Sequence, residues 1–157
     1  MSRNTREVII EPAPAGAKPN RDAGKVFVLT EMSAIKAEAW ATRMWLALAR
    51  NNTDIPSAAL SSGWGGLMSY GIAVGLHGLT RVDYGDLAPL WKEMLDCVAI
   101  APDPNHRNVV RPRNDDDIEE VSTIFKLRDA VIELHTGFSI ADALSRATSA
   151  AGVDQTS

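Results

Sequence analysis

The sequence has only one cysteine, Cys97, and no excess of positive charge. A single thiol cannot form a disulfide within the chain, which suits a reducing compartment. The pattern around Cys97 favours a small, half-buried apolar side chain over a nucleophile. There are 16 lysine and arginine residues against 20 aspartate and glutamate residues, so the formal net charge is −4. A nucleic-acid partner is therefore disfavoured, because it would need a basic surface to release counterions from its phosphates.

Long hydrophobic runs are also missing. The longest apolar stretch, 63–79, is rich in glycine, contains Ser69 and His77, and is shorter than the ~20 residues that a membrane helix needs. Residues 1–11 have no apolar run long enough for a signal peptide. We therefore expect a soluble, intracellular protein with no membrane partner.

No motif of a catalytic or ligand-binding site is present. His77, His106 and His135 are far apart, and none has a second metal ligand three or four residues away. The acidic run 115–120 lacks the central glycine and the distal glutamate of a calcium loop. The glycines around Trp64 match neither a P-loop nor a dinucleotide fingerprint. We therefore expect a protein that works by binding, without catalytic residues, cofactors or metal ions.

The composition and patterning that remain predict a small α+β domain. The 157 residues are 45% hydrophobic and 23% charged, as in one globular domain. Two short β-branched runs, 6–11 and 25–32, predict an N-terminal β-hairpin, and the Pro-, Ala- and Gly-rich residues between them predict a flexible loop. We expect a mainly α fold in which this hairpin is followed by about five helices in a compact bundle. The predicted parts are 1–24 (first strand and loop), 25–150 (helical domain with the second strand) and 151–157 (disordered tail).

Hydrophobic periodicity of about 100° per residue places the helices. They are 34–50, capped by Ser33; 56–60; 63–78; a helix capped by Asp83 or Asp86 that extends past Cys97 to Val98; 117–136, capped by Asp116 or Asp117 and ended by Gly137; and 140–150, capped by Ser139. Prolines break the basic segment 101–114 into a loop. Its Arg107, Arg111 and Arg113 either pair with neighbouring acidic residues or bind an acidic partner.

Two of the predicted helices have more apolar surface than one core needs. Helix 34–50 has a broad stripe around Trp40 and a second, smaller stripe of Ile35, Ala39 and Leu46 nearly opposite, and the apolar arc of 117–136 spans about 200°. Trp40 and Trp45 stand about 140° apart and cannot share one narrow seam. Either both are core residues in a broad stripe, or one faces a partner or a second subunit. The candidate interaction residues are Trp40, Met44, Trp45, Leu46, Ile124, Phe125, Val131 and Phe138.

From 24 to 144 the chain resembles the tail assembly chaperones of tailed bacteriophages of the siphophage type. The segments that carry the resemblance are GKVFVLTEM (24–32), AEAWA (37–41), LALAR (46–50), MLDCV (94–98), PDP (102–104), DDIEEV (116–121), KLR (126–128) and LHTGF (134–138). They occur in this order across about three quarters of the chain. None of them is a catalytic motif.

The resemblance implies a non-enzymatic protein made in the cytoplasm of the infected host and absent from the finished particle. It would keep the long, helical tape measure protein soluble and help to recruit tail tube subunits. In this family a longer form, made by a programmed ribosomal frameshift, often binds the tube subunit; self-association is a further expectation. Two other classes stay open: a structural virion protein of the tail tube or head–tail junction, and a small enzyme or nucleic-acid regulator.

Overall fold

The computed structural model describes residues 2–50, 61, 82–137, 141–142 and 145. Their regular elements are the strands β1 (Thr5–Ile9), β2 (Val26–Thr30), β3 (Val98–Ala101) and β4 (Arg111–Pro112), and the helices α1 (Ala34–Arg50), α2 (Tyr84–Leu95) and α3 (Val121–Thr136). A single 3-10 turn, Asp115–Asp117, precedes α3. The chain thus combines strands from its start and from its middle into one sheet.

The four strands form one antiparallel sheet in the order β1-β2-β3-β4. Val8 of β1 lies opposite Phe27 of β2, which lies opposite Ile100 of β3. Because side chains alternate between the two faces of a strand, this register aligns the large apolar residues on one face of the sheet. The β-branched and aromatic side chains of these short runs suit such a half-buried sheet.

The three helices cover that face of the sheet and close the core. Trp40 of α1 is buried, and its indole Nε1 donates a hydrogen bond to the Leu90 carbonyl oxygen of α2 at 3.0 Å. The core residues of the main cluster are Val8, Ile10, Phe27, Leu29, Trp40, Ala41, Leu90, Met94, Val98, Ile100, Leu127, Ala130 and Val131. Helix α2 packs against both α1 and α3.

The predicted bundle of about five helices is wrong. The described residues contain a four-stranded antiparallel sheet and three α-helices, an α+β fold. Helix α2 ends at Leu95, so Cys97 lies in a turn and Val98 begins β3. The apolar stripe of α2 continues into β3 along the sequence, and the pairing of β3 with β2 and β4 separates the two elements.

The start of α3 also differs from the prediction. Asn114 and Asp117 form a reciprocal capping box that closes the 3-10 turn, and Ile118 after it has an extended backbone. The acidic run therefore caps its own short turn, and α3 begins only at Val121, after Glu120.

The amides before α3 are bound instead by Asp22, which is completely buried. Its carboxylate accepts hydrogen bonds from the Glu119 amide at 3.0 Å, from the Glu120 amide at 3.0 Å and from Lys25 Nζ at 2.7 Å. Burial raises the pKa of the Asp22 carboxyl, but these hydrogen bonds lower it more, to about 2. The last part of the predicted flexible loop is thus anchored to α3.

Several predicted boundaries are confirmed. The hairpin of β1 and β2 is present, and α1 has the predicted bounds. Asp83 caps α2 by accepting a hydrogen bond from the Gly85 amide at 2.7 Å. Gly137 ends α3 in the left-handed region, at φ 77°. The predicted helices 56–60, 63–78 and 140–150 lie wholly or largely outside the described residues.

Candidate protein-interaction surfaces

Helix α1 carries apolar side chains on two opposite sides. Its inner side, with Trp40, Ala41 and Ala47, is buried. On the outer side, Ile35 is 82% exposed and Leu46 is 53% exposed, and the exposed residues Ala39 and Thr42 lie between them. We call the four outer residues, Ile35, Ala39, Thr42 and Leu46, the α1 stripe. Their positions at i, i+4, i+7 and i+11 place them in one line along three turns of helix.

The side of α1 next to the stripe is fixed to α2 by charged side chains. Arg43 donates two hydrogen bonds to the Glu93 carboxylate, at 2.6 Å and 2.5 Å. Arg50 lies 3.3 Å from Asp86. These pairs border the α1 stripe on the side of α2, where Leu46 lines a cavity together with Pro89 and Leu90 of α2.

Helix α3 also has an apolar side that faces solvent. Val121 is 66% exposed and Phe125 is 58% exposed, one turn apart. Leu127 and Ala130, on the other side of the helix, are buried in the core. The predicted wide apolar arc of this helix therefore divides into a core side and an exposed side.

Arg128 lies on the exposed side of α3, one turn after Phe125. Its guanidinium carbon is 4.6 Å from the centre of the Trp91 ring of α2, the geometry of a cation–π contact. Arg128 Nε is buried without a hydrogen-bond partner, and no carboxylate of the described residues lies within 4.0 Å of the guanidinium. Burial lowers the pKa of the Arg128 guanidinium, and the nearby Tyr84 phenol opposes this shift.

Tyr84 extends this surface on α2. It is 74% exposed and lies two turns before Trp91 on the same side of the helix. We call the set of Tyr84, Trp91, Val121, Phe125 and Arg128 the α2–α3 face. Tryptophan, tyrosine and arginine are the residue types that most often dominate the free energy of protein–protein binding.

A small apolar cavity of about 90 Å³ opens between α1 and α3. Its lining consists of Met32, Ala37, Trp40, Ala41, Met94, Val131, Ile132, His135 and Thr136. His135 fixes one wall, because its Nε2 accepts a hydrogen bond from the Met32 amide at 2.7 Å and its Nδ1 donates to the Val131 carbonyl oxygen at 2.8 Å. This cavity is too small for a helix, and it marks where α1 and α3 separate.

The candidate interaction residues differ in how far the structure exposes them to solvent. Trp40 and Val131 are buried in the core and offer a partner almost no surface. Leu46 and Phe125 are exposed on α1 and α3. Met44, Trp45 and Ile124 are half-buried, and Phe138 lies outside the described residues. A direct contact with a partner therefore remains a prediction for the exposed and half-buried residues.

Sequence reasoning missed Tyr84, Trp91 and Arg128 as parts of one surface. Trp91 lies at helical spacing with Leu87 and Met94, which predicts a core-facing side chain, and no local pattern indicates that an arginine 37 residues later stacks on it. The available signal was the position of Arg128 within an apolar arc, between Phe125 and Ile132. An arginine there must either leave the apolar surface or stack on a neighbour.

The basic loop 101–114 is neutralised within the chain. Arg111 binds both carboxylate oxygens of Asp117 at 2.7 Å. Arg107 lies 3.5 Å from Glu7, and Arg113 lies 3.2 Å from Asp115. The sequence left open whether these arginines pair internally or with a partner, and the internal pairing is the one observed.

A cavity of about 680 Å³ is lined by ends of the sheet and by α1, with side chains of both charges. Cys97 lies on its wall. Burial, reinforced by the neighbouring Asp96, raises the pKa of the Cys97 thiol to about 11. The thiol is protonated at neutral pH, which disfavours a nucleophilic role.

Three further observations concern the whole described part of the chain. It contains no group of three or more His, Cys, Asp or Glu side chains placed to hold a metal ion. None of its helices has the length and apolar character needed to cross a membrane. Comparisons of the chain with protein-family models, with curated proteins and with solved structures found no match. The exposed apolar faces of the helices remain the features on which a function can be proposed.

Proposed function

We propose that this chain is a siphophage-type tail assembly chaperone that binds the tape measure protein and keeps it soluble. It acts in the host cytoplasm without catalysing a reaction, helps to recruit tail tube subunits, and is absent from the finished particle. The observation that supports this most is the α1 stripe, which exposes the apolar residues Ile35, Ala39 and Leu46 on the outer side of a helix whose inner side already belongs to the core.

A protein that holds a helical client needs such a surface. An amphipathic helix binds by placing its apolar side, repeated every three to four residues, along an apolar groove or face. The stripe from Ile35 to Leu46 is about 16 Å long, which accommodates three turns of a client helix. Burial of each large apolar side chain contributes roughly 1.5–3 kcal/mol, so a few such contacts can hold a client reversibly.

The charge of the chain agrees with a holding role. A formal net charge of −4 favours solubility and opposes unspecific self-association. Arg107, Arg111 and Arg113 are paired with carboxylates of the chain, so a phosphate would have to compete with these carboxylates, which disfavours the alternative of a nucleic-acid regulator.

Co-expression with the tape measure protein encoded in the same genome tests the proposal. We expect a soluble complex that purifies through a tag on either protein, and a tape measure protein that is insoluble when expressed alone. The double variant Ile35→Gln/Leu46→Gln should reduce the recovered complex several-fold. Val109→Gln, which removes an exposed apolar side chain from the loop before β4, is the matched control and should leave recovery unchanged.

Two outcomes would contradict the chaperone proposal. The first is a tape measure protein that neither binds the chain nor gains solubility from it. The second is the chain itself at stoichiometric amounts in purified particles by mass spectrometry, which would favour a structural subunit of the tail tube or head–tail junction.

A further inference from the structure

We infer that the α2–α3 face binds an amphipathic client helix that carries a carboxylate among its apolar residues, and that Arg128 is the group that binds this carboxylate. The inference deepens the proposed function, on which it rests, by stating which surface meets the client and what chemistry the client presents there.

The first argument is the state of Arg128 itself. Arg43 and Arg111 each bind both oxygens of a carboxylate on the chain. Arg128 is half-buried, yet the described residues provide no carboxylate for it and no partner for its Nε. A partly desolvated cation without a counter-charge is unfavourable, and an approaching carboxylate would remove that penalty.

The second argument is the way the guanidinium is held. The ring of Trp91 lies against one side of it at 4.6 Å, which limits the rotation of the arginine head group. A guanidinium stacked on a ring still presents its nitrogen atoms at the edge, where two N–H groups can bind the two oxygens of one carboxylate. The contact with Trp91 thus orients Arg128 before a partner arrives.

The third argument is the apolar surface around the cation. Val121 lies two turns and Phe125 one turn before Arg128 on α3, and Tyr84 lies on the same side of α2 as Trp91. A partner that covers these side chains also excludes water from the arginine, which strengthens the ion pair. The matching partner has apolar residues at helical spacing with one aspartate or glutamate between them.

This chemistry favours a protein segment over a nucleic acid. A phosphate backbone presents a row of charges and is bound by several cations together, whereas the α2–α3 face has one cation in an apolar surround. The formal charge of −4 on the chain would also oppose a polyanion. A single carboxylate in an apolar helix side matches both features.

Binding of the purified chain to the tape measure protein tests the inference, measured as the dissociation constant of the complex. Arg128→Gln should weaken binding at least ~10-fold, because it removes the cation from the centre of the contact. Arg128→Lys should also weaken it, since lysine keeps the charge but loses the planar fork and the stacking. Arg107→Gln is the matched control, an exposed arginine paired with Glu7, and should leave the dissociation constant unchanged.

Exchanging the charges of Arg128 and its client partner identifies the client residue. It also distinguishes a lost ion pair from an unfolded variant. Each aspartate and glutamate of the bound client segment is replaced in turn by asparagine or glutamine, and one of them should weaken binding as much as Arg128→Gln does. Replacing that client residue by arginine should restore binding to Arg128→Glu. Urea unfolding of each variant shows that the chain remains folded.

The outcomes separate the inference from the proposed function. If the unmodified chain does not bind the tape measure protein, both are overturned. If it binds and Arg128→Gln binds equally well, or if no client carboxylate matters, the inference is wrong and the chaperone role stands. A DNA duplex that binds the chain and loses affinity with Arg128→Gln would instead assign this face to phosphate.

Discussion

Asp22 lies between the end of the loop that joins β1 to β2 and the first turn of α3, and its side chain is completely buried. It binds the Glu119 and Glu120 amides and Lys25 Nζ at once. One carboxylate therefore binds the two amides just before a helix that begins about 100 residues later in the chain. A neutral side chain of the same shape cannot accept all of these hydrogen bonds.

Asp22→Asn should lower the free energy of unfolding by about 2–3 kcal/mol, because charge-assisted hydrogen bonds are lost in a buried site. The measurement is urea unfolding at pH 7. Asp115→Asn, at a fully exposed carboxylate, is the control and should change stability by less than ~0.5 kcal/mol. An unchanged midpoint for Asp22→Asn would show that the carboxylate does not hold the start of α3.

The same carboxylate gives a pH dependence with a defined sign. Its pKa in the folded chain, about 2, is below the ordinary value of 3.8, so the unfolded chain binds the proton more tightly. The stabilisation is present above pH 4 and is lost as the pH falls from 4 towards 2. It amounts to about 2 kcal/mol, from 1.36 kcal/mol per pKa unit. Unfolding of Asp22→Asn should depend less on pH across this interval; equal slopes for both proteins would contradict the assignment.

His135 connects α3 to the segment between β2 and α1 through two backbone hydrogen bonds. Because the Met32 amide donates to Nε2, the ring proton lies on Nδ1, which donates to Val131. His135→Ala should lower the free energy of unfolding by about 1 kcal/mol, because the partly buried Met32 amide loses its acceptor. His106→Ala, at an exposed ring next to Asp103, is the control. Nitrogen NMR at neutral pH should show Nε2 as the unprotonated nitrogen; the opposite tautomer would refute this connection.

Elements that depend on local sequence agree with the predictions, and elements that depend on distant partners do not. The bounds of α1 follow from its own periodicity and from Ser33. Strand β3 has four residues and no turn signal before it, and its pairing with β4 and with β2, about 70 residues earlier, makes it a strand. The start of α3 depends likewise on Asp22. Two-residue β4 pairs with β3 and leaves no periodic trace in the sequence.

The same distinction between local and long-range determinants applies to the interaction surfaces. A helical wheel identifies the outer stripe of α1, since a helix with two apolar sides must expose one of them or meet a second partner. It cannot identify the α2–α3 face, which requires the packing of Trp91 against Arg128 from a different helix. It also cannot tell which side of a wide apolar arc is core, which is why the predicted interaction residues include the buried Trp40 and Val131 beside the exposed Phe125.

At the end of α3, Gly137 has a positive φ of 77°, and a Cβ atom built there would meet nothing within 4 Å. The cost of a side chain at this position is therefore that of the backbone conformation alone. Gly137→Ala should lower the free energy of unfolding by about 1 kcal/mol. Gly137→Asn should cost less, because asparagine tolerates the left-handed region better. Thermal or urea unfolding measures both; equal effects of the two substitutions would contradict this explanation.

At the scale of the molecule, as far as the structure describes it, the main hydrophobic core and two exposed apolar faces share the same three helices. The core requires only the inner sides of α1 and α3, so the exposed sides contribute little to stability. Single exposed apolar side chains are ordinary on a protein surface, but aligned ones favour association with a partner. A substitution on a buried side of these helices should therefore lower the free energy of unfolding. The same type of substitution on an exposed side should leave that free energy nearly unchanged and weaken binding to the partner.

Trp40→Ala should cost about 3–5 kcal/mol of unfolding free energy, because it empties a core position and removes the hydrogen bond to Leu90. Phe125→Ala and Leu46→Ala should each cost less than ~0.5 kcal/mol, because their side chains are largely exposed. In the binding assay the order should reverse, with Phe125→Ala folded but weakened towards the tape measure protein. Urea unfolding and the dissociation constant, measured on the same preparations, separate the two effects. If Phe125→Ala were as destabilising as Trp40→Ala, Phe125 would be a core residue of the chain, and the α2–α3 face would lose its role in binding.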